Sequence, residues 1–326
     1  MYLVRLAARL VAIACALVVA LYVYRNPEKG ALDATARAAV PGSFAALSGG
    51  TTHYEAAGPD TGRVAVLVHG FSVPAYIWDS TFKALRDAGY RVIRYDLFGR
   101  GYSDRPNAAY DGAFYDRQLN DLLDALKVSE PVDLFGLSFG GYVVAHFATT
   151  HPERIRTLTM VDPSSTRAEL PWFVTAPGLG AYLFQVVDLP GKAESQSSDF
   201  LHPERFPGWA DKYRPQMRYK GFGRALYRSM LTLGSADFPG MYATIGTSGM
   251  PVLLVWGKQD PTVPFANSAI VQRGIPQLEF FAVDSSGHLP QMEQTAAFNA
   301  RMLAFLAAHP RVPPVARALT PLAPKR

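Results

Sequence analysis

Apolar residues fall into distinct regimes along this chain. Residues 3–24 are apolar except for Arg5 and Arg9, and 10–24 run without interruption. A helix over 3–24 spans roughly 33 Å at about 1.5 Å per residue, enough to cross a hydrocarbon core of about 30 Å if the arginines snorkel. Further on, short continuous apolar runs alternate with helix-like segments: 64–68 then 78–88, 91–95 then 114–126, 132–135 then 142–150, and 157–161 then a longer irregular region. This alternation predicts an α/β fold with a mostly parallel central sheet and helices on both faces. Two short runs, 44–47 and 51–56 around Gly49-Gly50, predict an opening hairpin. Apolar strands are also expected over 252–256 and 278–283, and a closing helix over 293–308.

Between 164 and 249 the periodicity breaks down and aromatics and prolines accumulate, among them Trp172, Phe173, Tyr182, Phe184, Phe200, Trp209, Tyr213, Phe222 and Phe238. The expectation is a helical cap inserted after the strand at 157–161, with most of these rings forming its own core and a minority facing an apolar substrate pocket. The chain therefore divides into a membrane anchor (1–25), a linker that lifts the body off the bilayer (26–42), a core (43–163 and 250–308), the cap (164–249) and a mobile Pro/Ala-rich tail (309–326).

Composition narrows the classes without choosing one. At 326 residues, 49% hydrophobic and 18% charged, the chain suits one large globular domain with additions. The net charge of +5 is spread out, with no basic run interleaved with stacking aromatics, so nucleic acid is not an expected partner. A lone cysteine, Cys15, excludes an internal disulfide framework. No His/Asp/Glu spacing suggests a metal site, and no cofactor is expected. For the apolar N-terminal segment the alternative to an anchor is a secretory signal, since Arg5 and Arg9 make a charged n-region. Against cleavage, the run ends in Leu21-Tyr22-Val23-Tyr24-Arg25, without small residues. The expected location is the membrane, with the N-terminus inside, or outside the cell after cleavage.

The chemistry is concentrated at three strand ends. Gly136-Leu137-Ser138-Phe139-Gly140-Gly141 follows an apolar strand and opens a helix, the layout of a nucleophile elbow, in which glycines let the neighbouring backbone pack against a serine on a strained turn. Asp260 follows the strand at 252–256, and His288 follows the strand at 278–283. The order serine, acid, histidine, each at the C-terminal end of a strand, matches where open α/β sheets place their reactive groups. Asp162, at the end of the strand at 157–161, is a rival for the acid, and a structural role for His288 stays open.

With His69-Gly70-Phe71 after the strand at 64–68, and Asp96-Leu97-Phe98-Gly99-Arg100-Gly101-Tyr102-Ser103 after the next, the chain resembles serine hydrolases of the α/β-hydrolase superfamily over roughly residues 43–308. The resemblance implies Ser138 as nucleophile, His288 as base, Asp260 as the acid that orients it, and the backbone amides of Phe71 and Phe139 as oxyanion donors. It gives His69, Asp96 and Ser103 loop-holding roles, and packing or capping to His146 and His151. His53, His202 and His309 are expected to lack a partner constellation. Phe139 replaces the methionine or glutamine frequent at its position and is expected to narrow the acyl side of the site.

The expected function is a membrane-anchored hydrolase of carboxylic esters with apolar or lipid-like acyl groups. On the same scaffold a carbon-carbon bond hydrolase of the meta-cleavage type, an acyltransferase or a non-catalytic binding protein remain alternatives. The serine at the elbow argues against dehalogenases and epoxide hydrolases, which carry aspartate there.

Overall fold

The computed structural model describes residues 1–310; the expected tail lies, from residue 311, outside the described residues. Eight strands, β1 (Ser43–Leu47), β2 (Gly50–Ala57), β3 (Val64–Val68), β4 (Arg91–Tyr95), β5 (Val132–Leu137), β6 (Ile155–Val161), β7 (Val252–Gly257) and β8 (Glu279–Val283), form one sheet in the order β1-β2-β4-β3-β5-β6-β7-β8. The β1/β2 hairpin and the β2/β4 pair are antiparallel, and every other pair is parallel.

Every residue of β3, β5 and β7 is buried, as expected of parallel strands covered on both faces. The two-residue period of a strand sorts their side chains between two cores. Val64, Val66 and Val68 pack in one core with Leu119, Leu122, Val143 and Phe147. Ala65 and Leu67 pack in the other with Leu85, Phe298, Met302 and Phe305.

The helices are α1 (Tyr2–Arg25), α2 (Ala34–Ala38), α3 (Asp79–Asp87), α4 (Gly112–Ala125), α5 (Phe139–Thr150), α6 (Trp172–Thr175), α7 (Leu179–Leu183), α8 (Lys192–Ser195), α9 (Trp209–Tyr213), α10 (Phe222–Ser235), α11 (Phe238–Thr247), α12 (Ser268–Gly274), α13 (Pro290–Glu293) and α14 (Thr295–Ala308). Helix α4 starts two residues earlier than its apolar periodicity predicts, because the Asp111 carboxylate accepts from the Phe114 amide and caps the helix there. The closing helix is broken at Gln294 (φ −124°, ψ 47°), whose side-chain amide donates to the Ser285 carbonyl.

The irregular region is a chain of short helices and turns from α6 to α10. Helix α11, which composition grouped with the cap, instead packs on α5 and α12 and buries Phe238, Tyr242 and Ile245 in the core. Its start is marked by Asp237, which accepts from the Gly240 amide, and by Pro239 in the first turn.

Helix α1 is exposed along its whole length, with a mean hydropathy of 2.4 over its most apolar window. The segment after it is no free spacer. Gly30 pairs with the backbone of Arg218 and Lys220, and the Glu28 carboxylate accepts from the Gly221 and Gly223 amides at the start of α10.

Candidate active site

Ser138 sits between β5 and α5 with φ 54° and ψ −117°, a region a non-glycine residue enters only at a cost of about 1–3 kcal/mol. The fold holds it there from several sides. Its amide donates to the Val161 carbonyl (2.9 Å), and its carbonyl accepts from Gly141 (2.8 Å) and Ser164 (3.0 Å). The flanking glycines are required by close approach: a Cβ on Gly140 would lie 2.4 Å from the His69 carbonyl oxygen, and one on Gly136 would lie 2.4 Å from that of Gly140.

His288 lies on the turn after β8. Its Nδ1 is 2.7 Å from Asp260 Oδ2, while Asp260 Oδ1 accepts from the Thr262 (2.7 Å) and Val263 (2.9 Å) amides. The carboxylate can only accept, so Nδ1 carries the proton and Nε2 is left as the basic nitrogen. Burial opposes the charged imidazolium, but Asp260, joined by the weaker pull of Asp199 and Glu293, holds the His288 pKa above its ordinary 6.5. Ser138 and His288 line one cavity of about 320 Å³.

Asp162, the rival acid, is close by but differently engaged. It adopts a positive φ of 42° and its Oδ1 accepts from the Gly257 amide at 2.8 Å. Complete burial, reinforced by the Asp260 charge, pushes its carboxyl well above the usual carboxylate range. Folding does bring Asp162, Asp260 and His288 together, with one donor atom of each within 4.8 Å of the others, a grouping that sequence spacing does not reveal. To ligate an ion through Nδ1, His288 would have to surrender the proton that binds Asp260.

The turn after β3 supplies the opposite wall. Phe71 lines the cavity, and its carbonyl accepts from Arg100 Nε at 2.8 Å. The Phe139 amide is the first of α5, one of those with no acceptor inside the helix. Its ring does not narrow the acyl side as expected. It is fully buried, in contact with Tyr115 (centroids 5.4 Å) and Tyr142 (5.6 Å), because the residue after the serine already belongs to a helix that turns this face into the core.

His69 holds its loop: Nε2 accepts from the Leu97 amide (2.9 Å), Nδ1 faces the Gly70 carbonyl (2.8 Å), and burial lowers its pKa to about 4. Asp96 accepts from Ala75 and Tyr102, both at 2.9 Å, and Ser103 Oγ donates to the Asp96 carbonyl. His53 does have a partner, contrary to expectation. Its Nδ1 is 2.8 Å from Asp96 Oδ2 and its Nε2 is 2.8 Å from the Pro41 carbonyl. Burial works against charging either group, yet their mutual attraction prevails, raising the pKa of His53 and lowering that of Asp96. Antiparallel pairing of β2 with β4 makes this contact, by setting His53 beside the end of β4. His202 and His309 each meet one glutamate, Glu204 at 3.2 Å and Glu279 at 3.3 Å. His146 pairs with Asp116 at 2.9 Å, and His151 stacks on Phe147.

Several residues that hold or line the site carry no sequence signal. Glu293, buried at the end of α13, accepts from the Gly287 and Leu201 amides and so fixes the histidine turn to the cap. Gln216 bonds the Gly101 amide and the Ser72 carbonyl, and Gln196 accepts from Ser72 Oγ, locking the cap to the Phe71 turn. The cap wall of the cavity is polar: Lys192, Ser195, Gln196, Ser198 and Asp199, with none of the cap aromatics. Those rings pack within the cap, against the core as Trp209 does on Tyr76 and Phe238 on Tyr142, against α1 as Tyr182 does on Tyr22, or, like Trp172, face outward.

Residues 64–295 match the family model described as alpha/beta hydrolase fold. The chain is 27% identical over 284 residues to the AB hydrolase superfamily protein YfhM of Bacillus subtilis, covering 81% of this chain and 96% of that protein. It is 29% identical over 280 residues to a 2-hydroxy-6-oxononadienedioate/2-hydroxy-6-oxononatrienedioate hydrolase of Paraburkholderia phymatum, covering 80% and 93%. Among solved structures, the enol-lactonase of Burkholderia xenovorans LB400 superposes with a TM-score of 0.72 at 21% identity, covering 81% of this chain and 100% of that one. The strained serine turn, the strand order and the matched span agree: this chain belongs to the alpha/beta hydrolase fold family and is a hydrolase.

Proposed function

We propose that the chain is a serine hydrolase that cleaves carboxylic esters through an acyl-enzyme. The observation that carries this reading is the bond from His288 Nδ1 to Asp260, 2.7 Å long, made by an imidazole that shares its cavity with Ser138. His288 Nε2 takes the Ser138 proton as Oγ attacks the ester carbonyl, and Asp260 stabilises the imidazolium that results. The Phe71 and Phe139 amides receive the oxyanion. Collapse expels the alcohol with the proton from His288, and water then resolves the acyl-enzyme by the same relay.

The cavity modifies the expected substrate. About 320 Å³ is near the small end of ligand pockets, and its apolar wall (Phe71, Val73, Ile77, Leu137, Leu289) faces the polar cap wall. This favours a short acyl group carrying a polar end over a long lipid chain. A second reading, carbon-carbon bond hydrolysis, draws on Lys192. Its amine lies 5.6 Å from the Phe71 ring centroid, burial lowers its pKa, and among the described residues it has no ion-pair partner. Such an ammonium suits a substrate carboxylate, and the relative from Paraburkholderia phymatum is named for dioate substrates. Helix α1 is assigned as a single-pass anchor. The contacts of Arg25, Asn26 and Glu28 with the cap support retention over removal as a signal.

A fluorophosphonate probe is expected to label the wild type and not Ser138→Ala, and ester turnover in that variant to fall by roughly a million-fold. Unlabelled wild type would favour a binding protein. A chain-length series of p-nitrophenyl esters and a set of ring-fission dienones, tested in parallel on wild type and Lys192→Met, separate the two chemistries. Loss confined to carboxylate-bearing dienones in Lys192→Met supports the second. Products formed with an added alcohol present separate transfer from hydrolysis.

A further inference from the structure

Outside α1, the exposed large apolar side chains among the described residues are Trp172, Phe173, Leu179 and Val187, exposed by 75, 41, 41 and 60%. All four lie within residues 172–187, on α6, α7 and the turn that follows. That stretch is also where α1 docks. The Tyr182 hydroxyl donates to the Val18 carbonyl at 3.0 Å, the Tyr22 and Tyr182 rings stack at 6.4 Å, and Arg25 Nε donates to the Val186 carbonyl at 2.9 Å.

These contacts fix a depth. Val18 is seven residues before the end of α1, so the cap reaches about 10 Å up the helix from its body-side end. A bilayer crossed by α1 must therefore meet this stretch of the cap. Scattered apolar residues on a surface need no explanation, but four gathered beside a membrane helix, with a pair of tyrosines at its foot, match the composition of an interfacial contact. The groove beside that foot is lined by Lys220, Arg224 and Arg228, none of which has an acidic ion-pair partner among the described residues. Positive side chains at this level suit lipid phosphates.

We propose that residues 172–187 of the cap form a second membrane contact, inserted into the headgroup region of the leaflet next to the body, with bilayer lipid as the occupant of the exposed apolar face. The inference rests on the assignment of α1 as an anchor. It gives the bilayer a direct hold on the cap: residues 172–187 lead straight into α8, which supplies Lys192 and Ser195 to the cavity wall.

The test uses the full chain reconstituted into phosphatidylcholine vesicles, with flotation to report anchoring and tryptophan quenching by brominated phosphatidylcholine to report the cap. Trp78, Trp209 and Trp256 are buried, so Trp172 is the tryptophan open to lipid. Wild type is expected to float with the vesicles and to be quenched, and Trp172→Ser to float equally while losing most of the quenching. Both proteins floating with equal, weak quenching overturns the cap contact and leaves the anchor standing. Failure to float overturns the anchor and the cap contact with it. A cross-linkable dimer with Trp172 shielded from brominated lipid assigns the face to a second copy and equally overturns the proposal.

Discussion

For His288 to accept a proton from Ser138 it must be neutral, and its environment sets where that happens. Burial disfavours the imidazolium and Asp260 favours it more, so the pKa lies above 6.5 and ester turnover should fall on the acid side with a midpoint above that value. The linkage runs the other way for stability. A raised histidine pKa contributes stability below pH 6.5 that is lost as pH climbs through the folded value, so activity appears in the window where this contribution fades. Asp260→Asn leaves burial opposed only by the weaker pull of Asp199 and Glu293. The acid limb should then move to lower pH while kcat drops by about ten-thousand-fold. Asp162→Asn leaves the bond between His288 and Asp260 in place and should cost far less. A pH-rate series on the three proteins checks this, and a larger loss in Asp162→Asn than in Asp260→Asn would transfer the orienting role to Asp162.

At the level of elements, the elbow is a join with no room for a side chain. A Cβ on Gly140 would meet two backbone oxygens, those of His69 at 2.4 Å and Val68 at 2.5 Å, and neither can rotate away. Gly140→Ala should displace the end of β3 and with it the Phe71 turn, lowering stability by about 2–3 kcal/mol and cutting turnover of any ester. Gly191→Ala, where an added Cβ meets nothing within 4 Å, is the control and should leave both melting temperature and rate unchanged. Equal behaviour of the two variants would remove close packing as the reason for the elbow glycines.

The same elements show what a sequence reveals. Strands such as Val64–Val68 and Val252–Gly257 are legible because burial on both faces demands unbroken apolar runs, and each ends at a residue of distinctive chemistry. The cap wall is not legible. Lys192, Gln196 and Asp199 sit on four-residue helical segments too short to show a period, and their approach to Ser138 is decided by tertiary closure through Gln216 and Glu293. Aromatic content there reports the packing of the cap upon itself and upon its neighbours, which is why it does not describe the pocket.

At the scale of the whole molecule, helix α1 and the cap are stitched together through residues 25–30. Glu28 is the centre of this seam. Its two carboxylate oxygens accept from the Gly221 (2.9 Å) and Gly223 (2.6 Å) amides, groups that the first turn of α10 cannot satisfy for itself. Glu28→Ala withdraws that cap at a cost of about 1–2 kcal/mol, a magnitude typical of lost helix caps. The loss should be local, because the Gly30 bonds to Arg218 and Lys220 remain and the sheet is untouched. Hydrogen exchange is therefore the right measurement. Amides at the start of α10 should exchange roughly tenfold faster in Glu28→Ala, in step with that cost, while those of β3 and β5 keep their protection. Acceleration in the central strands as well would mean that the seam supports the entire fold. Unchanged exchange in α10 would mean that the segment after α1 lies on the cap without holding it, and that α1 and the body are mechanically independent.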